Sequence, residues 1–351
     1  MLTLRDLFPH PIIQGPMAGG ASTPALVAAV SNAGGLGSLA CGMLSPEAML
    51  DQAWQIRQAT DKPFAMNLFV QQTPSPSAEE VQHACDLLQP VWSSLGWDQL
   101  PVPSKWCENF DEQFEALLSA APAVASFTFG ILKREQLQRL HEAGMSVIGT
   151  ATHLAEAQAW QELGADAVCV SGIEAGGHRG TFIGRQEDAK LSTMELLAQV
   201  VPQLRIPVIA AGNIVTGEDV TAALAKGAQA VQMGTAFLVT HESGIHPAYK
   251  EKLLAATADT TRQTRAITGR FARGLDNQFM QVMATVADQV PAYPVQNALT
   301  AAIRAAAGKS NNPEWMSMWC GQGIARAKAM SATELMRDLV KHLTLDKSLK
   351  N

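Results

Sequence analysis

Short apolar, β-branched runs recur along the chain, each followed by a polar or glycine-rich turn and then by a stretch rich in Ala, Leu, Glu and Gln with helical period. Eight such runs stand out: Pro11–Met17, Leu36–Gly42, Phe64–Val70, Val124–Gly130, Ser146–Thr152, Ala167–Gly172, Pro207–Asn213 and Ala230–Phe237. Runs that are apolar on both faces belong to buried parallel strands, and eight of them separated by helices point to an α/β chain closed into a (β/α)8 TIM barrel. A doubly wound open sheet is the alternative reading. The intervening helices are expected at Pro24–Asn32, Pro46–Thr60, Ala78–Leu95, Glu112–Ala120, Arg134–Ala143, Leu154–Leu163, Thr193–Val201 and Glu218–Lys226. Two strands are introduced by nearly the same phrase, Leu163–Val168 (LGADAV) and Lys226–Val231 (KGAQAV), which reads as a helix C-cap glycine feeding a strand.

After the eighth run the rhythm breaks. Val239 to about Met316 carries no parallel-strand pattern and reads as a small, mainly helical second lobe inserted after strand eight. A final helix at Ser331–Leu343 then closes the barrel, so the expected division is 1–238 and 317–351 for the barrel and 239–316 for the lobe.

Composition narrows the possibilities. A soluble domain usually spans ~100–200 residues, so 351 residues admit two domains or one large barrel with an insertion. Hydrophobic residues at 47% and charged residues at 17% describe an ordinary globular chain. The formal charge of −6, with no basic run before the mixed tail Lys341–Lys350, argues against nucleic-acid binding. Five scattered cysteines form neither metal-ligand spacing nor a disulfide framework, so no metal is expected and a reducing cytoplasm fits. The start MLTLRDLFPHP lacks the apolar run of a signal peptide, and no stretch of about 18 apolar residues follows to span a membrane.

In this barrel class function sits at the C-terminal strand ends, with phosphate usually gripped after strands seven and eight. Strand seven ends in Ala211-Gly212-Asn213 and strand eight in Gln232-Met233-Gly234-Thr235, where Gly212 and Gly234 either let backbone N–H groups approach a phosphate or serve only as turn glycines. The sixth strand runs into Ser171–Gly180, a loop expected to be neither helix nor strand, in which Gly172, Gly176, Gly177 and Gly180 surround His178. Those glycines let the backbone pass close to a planar ligand while the imidazole, with an unperturbed pKa of ~6.5, faces it as a proton acceptor. His10, His83, His141, His153 and His342 read as surface or packing residues, and Glu174 as a loop carboxylate that caps nearby N–H groups. Gln14-Gly15-Pro16-Met17, Asn67, Thr128 and Thr150 lie at other strand ends, where the Asn67 amide offers donor and acceptor to a ring edge or, equally, to loop backbone. Gly34–Gly37 (GGLG) precedes a strand and lacks dinucleotide-fingerprint spacing; no GxSxG elbow or P-loop occurs.

The set HPIIQGPM, SNAGGLGSL, DKPFAMNLF, GIEAGGHRGTF, PVIAAGNI, VQMGTAFL and WCGQG resembles the nitronate monooxygenase (2-nitropropane dioxygenase) family over nearly the whole chain, and AGGHRGTF with SFTFG looks most like its class I bacterial type. Single pieces are shared with flavin-dependent enoyl-ACP reductases and NADH:quinone reductases of the same barrel. The resemblance implies FMN held non-covalently between barrel and lobe, with a small-molecule substrate and O2 as partners. It also implies an activity in which alkyl nitronates are oxidised to carbonyl compound and nitrite. His178 matches the catalytic histidine. The cofactor contacts fall to Gln14, Gly15, Pro16, Met17, Asn67, Thr150, Ser171, Gly176, Gly177, Gly212, Asn213, Gln232, Met233, Gly234 and Thr235, and the substrate pocket to Thr128, Tyr249 and Tyr293. Members often carry histidine where Thr128 stands. Asn297 and Ala301 stand where a second tyrosine and a lysine are expected, which removes a charged partner for an anionic nitronate, and Trp106 falls near the place of another pocket aromatic. FMN-dependent reduction of an enoyl thioester or quinone by NAD(P)H is the alternative activity, and a catalytically silent flavin-binding barrel is the alternative from a different class. Oligomeric state has no sequence signal.

Overall fold

The computed structural model describes residues 7–257 and 260–348. The expected chain start before Leu7 and the end of the basic tail after Ser348 lie outside the described residues. Eight strands carry the expected apolar runs: β1 Ile12–Gln14, β2 Gly37–Ala40, β3 Phe64–Phe69, β4 Val124–Thr128, β5 Ser146–Ala151, β6 Ala167–Ser171, β8 Val208–Ala211 and β9 Ala230–Met233. They form one parallel sheet in the order β1-β9-β8-β6-β5-β4-β3-β2. A parallel bridge between Ile13 and Leu36, with Leu36 N–H donating to Ile12 C=O at 3.0 Å and Gln14 N–H to Leu36 C=O at 2.9 Å, joins the two ends. The sheet is therefore a closed barrel and not an open doubly wound sheet.

Helix starts follow local chemistry. Thr23 and Ser45 cap helices Pro24–Asn32 and Pro46–Ala59, each with proline at its first position, and Ser192 with Glu195 forms a capping box for Thr193–Val200. Gly164 and Gly227 take left-handed φ of 108° and 96° after their helices, as the repeated LGADAV and KGAQAV phrases imply. The single helix expected over Ala78–Leu95 is two, Ala78–Leu87 and Gln89–Ser94, because Pro90 has no N–H to continue the ladder.

The barrel interior is packed by one residue in two along each strand. Ile13, Leu36, Ala65, Val124, Ile148, Ala167, Cys169, Ile209 and Ala230 form this inner cluster, plugged by Leu7 and Phe8. Val168, Val170, Val208, Val231, Met233 and other outward residues instead pack beneath the helices in a larger cluster.

The lobe is mainly helical, with helices Pro247–Leu254, Gln278–Val282, Val295–Leu299 and Ala301–Lys309. It also holds two antiparallel strands, β10 Thr261–Thr264 and β11 Ala272–Leu275, and β11 pairs with β7, the two-residue strand Gly177–His178. Part of the loop expected to be neither helix nor strand is therefore a strand, because a distant segment supplies its hydrogen-bonding partner. The lobe core draws Ala84, Leu88, Val91 and Leu100 from the connection between β3 and β4, and Met318, Cys320 and Ile324 from beyond Met316. No helix among the described residues is long and apolar enough to cross a membrane.

Glu156, on the helix Leu154–Leu163, ties the His178 loop to the barrel. Its fully buried carboxylate accepts from Thr152 N–H at 2.6 Å, the Thr152 hydroxyl at 2.8 Å, Ile183 N–H at 2.9 Å and Phe182 N–H. An orphaned buried donor costs ~1–3 kcal/mol, so Glu156→Ala is expected to destabilise the protein by at least roughly 3 kcal/mol in urea unfolding. A loss no larger than that of the exposed control Glu162→Ala would mean that water replaces the carboxylate.

Candidate active site

His178 is held from both ends. Its backbone pairs with Ala272 of β11, and its Nε2 lies 2.9 Å from the Thr268 hydroxyl. Gly177 takes φ of 73°, which a side chain would strain. At Gly176 a Cβ would stand 2.5 Å from Cys320 C and Gly321 N, so two backbones cross in contact there. Three rings surround the imidazole: Trp319 at 5.4 Å, Tyr293 at 5.6 Å and Phe129 at 5.8 Å between centroids. Phe129 has a left-handed φ of 76°, unusual for an aromatic residue. Its ring packs on Phe69 at 4.4 Å and carries the Arg270 guanidinium 4.2 Å above it.

The pocket is cationic. Arg270 donates through Nε to Arg179 C=O at 2.7 Å and through a terminal nitrogen to Thr181 C=O. Arg304 donates to the backbone and side-chain oxygens of Asn297 at 2.7 and 2.9 Å, while its Nε is buried without a partner. Among the described residues neither arginine forms a salt bridge. Burial lowers both guanidinium pKa values to about 10, so both stay charged at neutral pH. Burial, with the positive charges of Arg270 and Arg304, pushes the His178 imidazole down to about 3. A neutral ring between two cations favours an anion. Burial also raises the Tyr293 hydroxyl, which stays protonated.

The barrel mouth follows from the strand register. Two residues beyond the inner apolar layer, the same inward positions become Asn67, Ser126, Thr150, Ser171 and Gln232, and Thr128 stands one step further on β4. Asn67 donates to the Ser126 hydroxyl at 3.0 Å, and its amide oxygen has no hydrogen-bond partner among the described residues. The hydroxyls of Thr128, Thr150 and Ser171 and the amide of Gln232 have no hydrogen-bond partner among the described residues and are not sealed in. At Gly234 a Cβ would meet nothing nearer than Met17 Sδ at 3.7 Å, so the chain itself leaves that face open.

Other expected site residues also have partners within the chain. Gln14 and Met233 are out of phase with the inward positions: Gln14 stitches β1 to Ser22 and Ser38, and Met233 packs beneath the helices. Gly15 N–H donates to Met233 C=O at 2.8 Å, Met17 N–H donates to the Ser22 hydroxyl at 2.9 Å, and Pro16 between them is partly exposed. Asn213, at φ of 54°, accepts from Arg326 through both oxygens. Gly212 combines φ of 115° with a Cβ position 2.6 Å from Thr193 Oγ1, so the turn itself demands glycine. Thr235 Oγ1 accepts from Gly321 N–H at 2.9 Å, and the buried Tyr249 hydroxyl donates to Trp319 C=O. Trp106 packs against the lobe core.

Sequence reasoning missed Thr268, Phe129, Arg270, Arg304 and Trp319, together with Gln71, whose amide is buried without partners just past β3. One signal was available: arginines at 262, 265, 270, 273 and 304, with only Asp276 and Asp288 as acidic residues between positions 260 and 313. Asn297 is buried and holds Arg304 in place, so a cation does reach the pocket although Ala301 supplies none.

A model described as nitronate monooxygenase matches residues 2–342. A Staphylococcus saprophyticus relative named "Probable nitronate monooxygenase" is 38% identical over 334 residues, covering 95% of this chain and 94% of the relative. Among solved structures, nitroalkane oxidase from Streptomyces ansochromogenes superposes with a TM-score of 0.91 at 40% identity over 99% of each chain. FabK from Thermotoga maritima superposes with a TM-score of 0.76 at 30% identity, covering 100% of this chain and 99% of that one.

The depressed imidazole has a consequence for stability. The folded ring, at about 3, binds its proton less tightly than the unfolded chain, at ~6.5, so stability falls as pH drops through that interval. From pH 7 to pH 5 the ring accounts for a loss of about 2 kcal/mol. His178→Asn should show an acid loss smaller by that amount when chemical denaturation is compared at the two pH values. Equal losses would show that the ring protonates freely in the folded protein.

Proposed function

Because the chain belongs to the nitronate monooxygenase family, we propose that it is an FMN-dependent oxidoreductase that oxidises alkyl nitronates, and nitroalkanes that it first deprotonates, with O2 to a carbonyl compound and nitrite. The observation that carries this reading is His178 at the barrel mouth, packed against Phe129, whose ring carries the Arg270 guanidinium, and held neutral by burial and by the charges of Arg270 and Arg304. A nitronate is an anion, and two guanidinium groups held by carbonyl and amide oxygens, without carboxylates, keep their charge available to it.

The residues at the mouth fit FMN. The Asn67 amide oxygen and the polar heads of Thr150, Ser171 and Gln232, without hydrogen-bond partners among the described residues, are available to the edge of a flat heteroaromatic ring, and the open face at Gly234 lets backbone approach a phosphate. FMN, when bound, supplies the electron-accepting and O2-dependent chemistry. The protein binds, orients and moves protons. His178 takes the α-proton of a neutral nitroalkane. The charge this puts on the imidazole is disfavoured by burial and by the arginines, and is offset by the nitronate that forms beside it. Phe129, Tyr293 and Trp319 flank the imidazole and limit the water around that proton.

The protein is expected to purify with FMN and not FAD, since the strand end at Gly234 offers room for one phosphate and no dinucleotide fingerprint occurs. Gly234→Val should lower flavin occupancy roughly tenfold while changing stability by less than about 1 kcal/mol, because its Cβ makes only ordinary contact with the Met17 side chain. Gly212→Val should strain the fold itself. Chromatography of the released flavin and denaturation curves read both outcomes; FAD, or full occupancy in Gly234→Val, overturns this assignment.

His178→Asn should cut turnover of a neutral nitroalkane by ~10²–10⁴-fold while leaving preformed nitronate turnover much less affected, because an amide cannot take the α-proton. Nitrite release from the two substrate forms is the measurement. Similar losses on both would assign His178 to orientation. NAD(P)H consumption without any nitronate would identify the enoyl-thioester or quinone reductase instead, and a flavin that neither NAD(P)H nor nitronate bleaches would identify a silent barrel.

A further inference from the structure

We propose that Thr268 is a positioning residue that sets the tautomer of His178, keeping the ring proton on Nε2 and leaving Nδ1 as the atom that accepts the substrate proton. The inference rests on His178 being the base of the proposed reaction. The Thr268 hydroxyl has one hydrogen and two neighbours: His178 Nε2 at 2.9 Å and Arg270 C=O at 3.2 Å. A carbonyl can only accept, so the hydroxyl hydrogen goes to Arg270 C=O and the hydroxyl oxygen is left to accept from Nε2–H. The reverse arrangement, hydroxyl to Nε2, removes the hydroxyl from Arg270 C=O and satisfies one contact instead of two. Nδ1 has no hydrogen-bond partner among the described residues and is not sealed in, on a ring flanked by Phe129, Tyr293 and Trp319, so it is the nitrogen left accessible.

Thr268 is itself rigidly placed. It is buried, and the turn around it is closed by Gly269 N–H donating to Arg265 C=O at 2.7 Å. Gly269, at φ of 82°, has no room for a side chain, since a Cβ would stand 2.2 Å from Pro291 C=O. On the other side Gln296 donates to Ala266 C=O at 2.8 Å and Thr300 to Ile267 C=O at 2.7 Å. The helix region that carries Tyr293, Asn297 and Arg304 is thus bolted to the two residues before Thr268. Burial and the flanking arginines keep the imidazole neutral, so a single tautomer is a defined state at neutral pH. In the proton step the substrate C–H bond breaks, its electron pair passes into the nitronate, and the proton bonds to Nδ1 while Nε2–H stays on Thr268.

The test uses the protein as purified, labelled with ¹⁵N-histidine, with His178→Asn identifying the His178 signals in two-bond ¹H–¹⁵N correlation spectra. Wild type and Thr268→Ser should show a proton-bearing Nε2 and a bare Nδ1. Thr268→Val, which keeps the shape and loses the hydroxyl, should shift the population toward the other tautomer and lower nitroalkane turnover on the order of tenfold or more. A wild-type proton on Nδ1, or an unchanged tautomer in Thr268→Val, overturns the proposal. If Thr268→Val does not fold, the wild-type and Thr268→Ser spectra still decide. The spectrum needs no turnover, so absence of nitronate activity alongside the expected tautomer would count against the proposed reaction and not against the role of Thr268.

Discussion

The pairing of Gly177–His178 with Ala272–Arg273 is the constraint on which the site depends. A barrel strand end delivers a loop into the mouth, but a loop with this many glycines has no fixed course of its own. β11 supplies the missing backbone partners, and Thr268, a few residues before it, supplies a partner for the ring. Barrel and lobe therefore meet at one side chain, with the imidazole oriented by both. Gly176 permits this because its backbone crosses the Cys320–Gly321 backbone in contact.

Around this junction the fold buries positive charge and solvates it with carbonyl groups. Arg179 donates to the carbonyls of Ser171, Gly172 and Ala189, Arg270 to those of Arg179 and Thr181, and Arg273 to that of Ile173. Burying a guanidinium without a carboxylate is costly, and neutral dipoles offset only part of that cost. Glu156 and Glu174 offset part of this charge from a distance, and none of the three guanidinium groups is paired directly with a carboxylate. Burial first, and then the charges of Arg270 and Arg304, depress His178.

Asn297 and Arg304 show how a missing cation can be replaced through tertiary structure. Position 301, where the resemblance leads one to look for a charge, holds alanine at the exposed start of a helix. Nearly one turn later on the same helix Arg304 reaches back to Asn297 and into the pocket. A linear match of positions cannot see this, because the quantity that matters is where the charge sits and not which residue number carries it.

The barrel was legible in the sequence because burial on both faces leaves a continuous apolar run, a local signal independent of partners, and because caps such as Thr23-Pro24 and Gly164 mark the helix ends by their own conformational needs. His178 was legible because glycines on both sides announce a close backbone approach. What the sequence could not state is which distant segment pairs with the His178 loop, where Arg270 and Arg304 point, and that Thr268 meets Nε2. Those contacts join parts of the chain far apart in sequence, and no local propensity encodes the order in which a closed barrel and an inserted lobe bring them together. The sequence by itself determined the scaffold and the candidate base. The tertiary structure alone decided the protonation, orientation and charged surroundings of that base, because burial and Coulomb interaction depend on distances that exist only after folding.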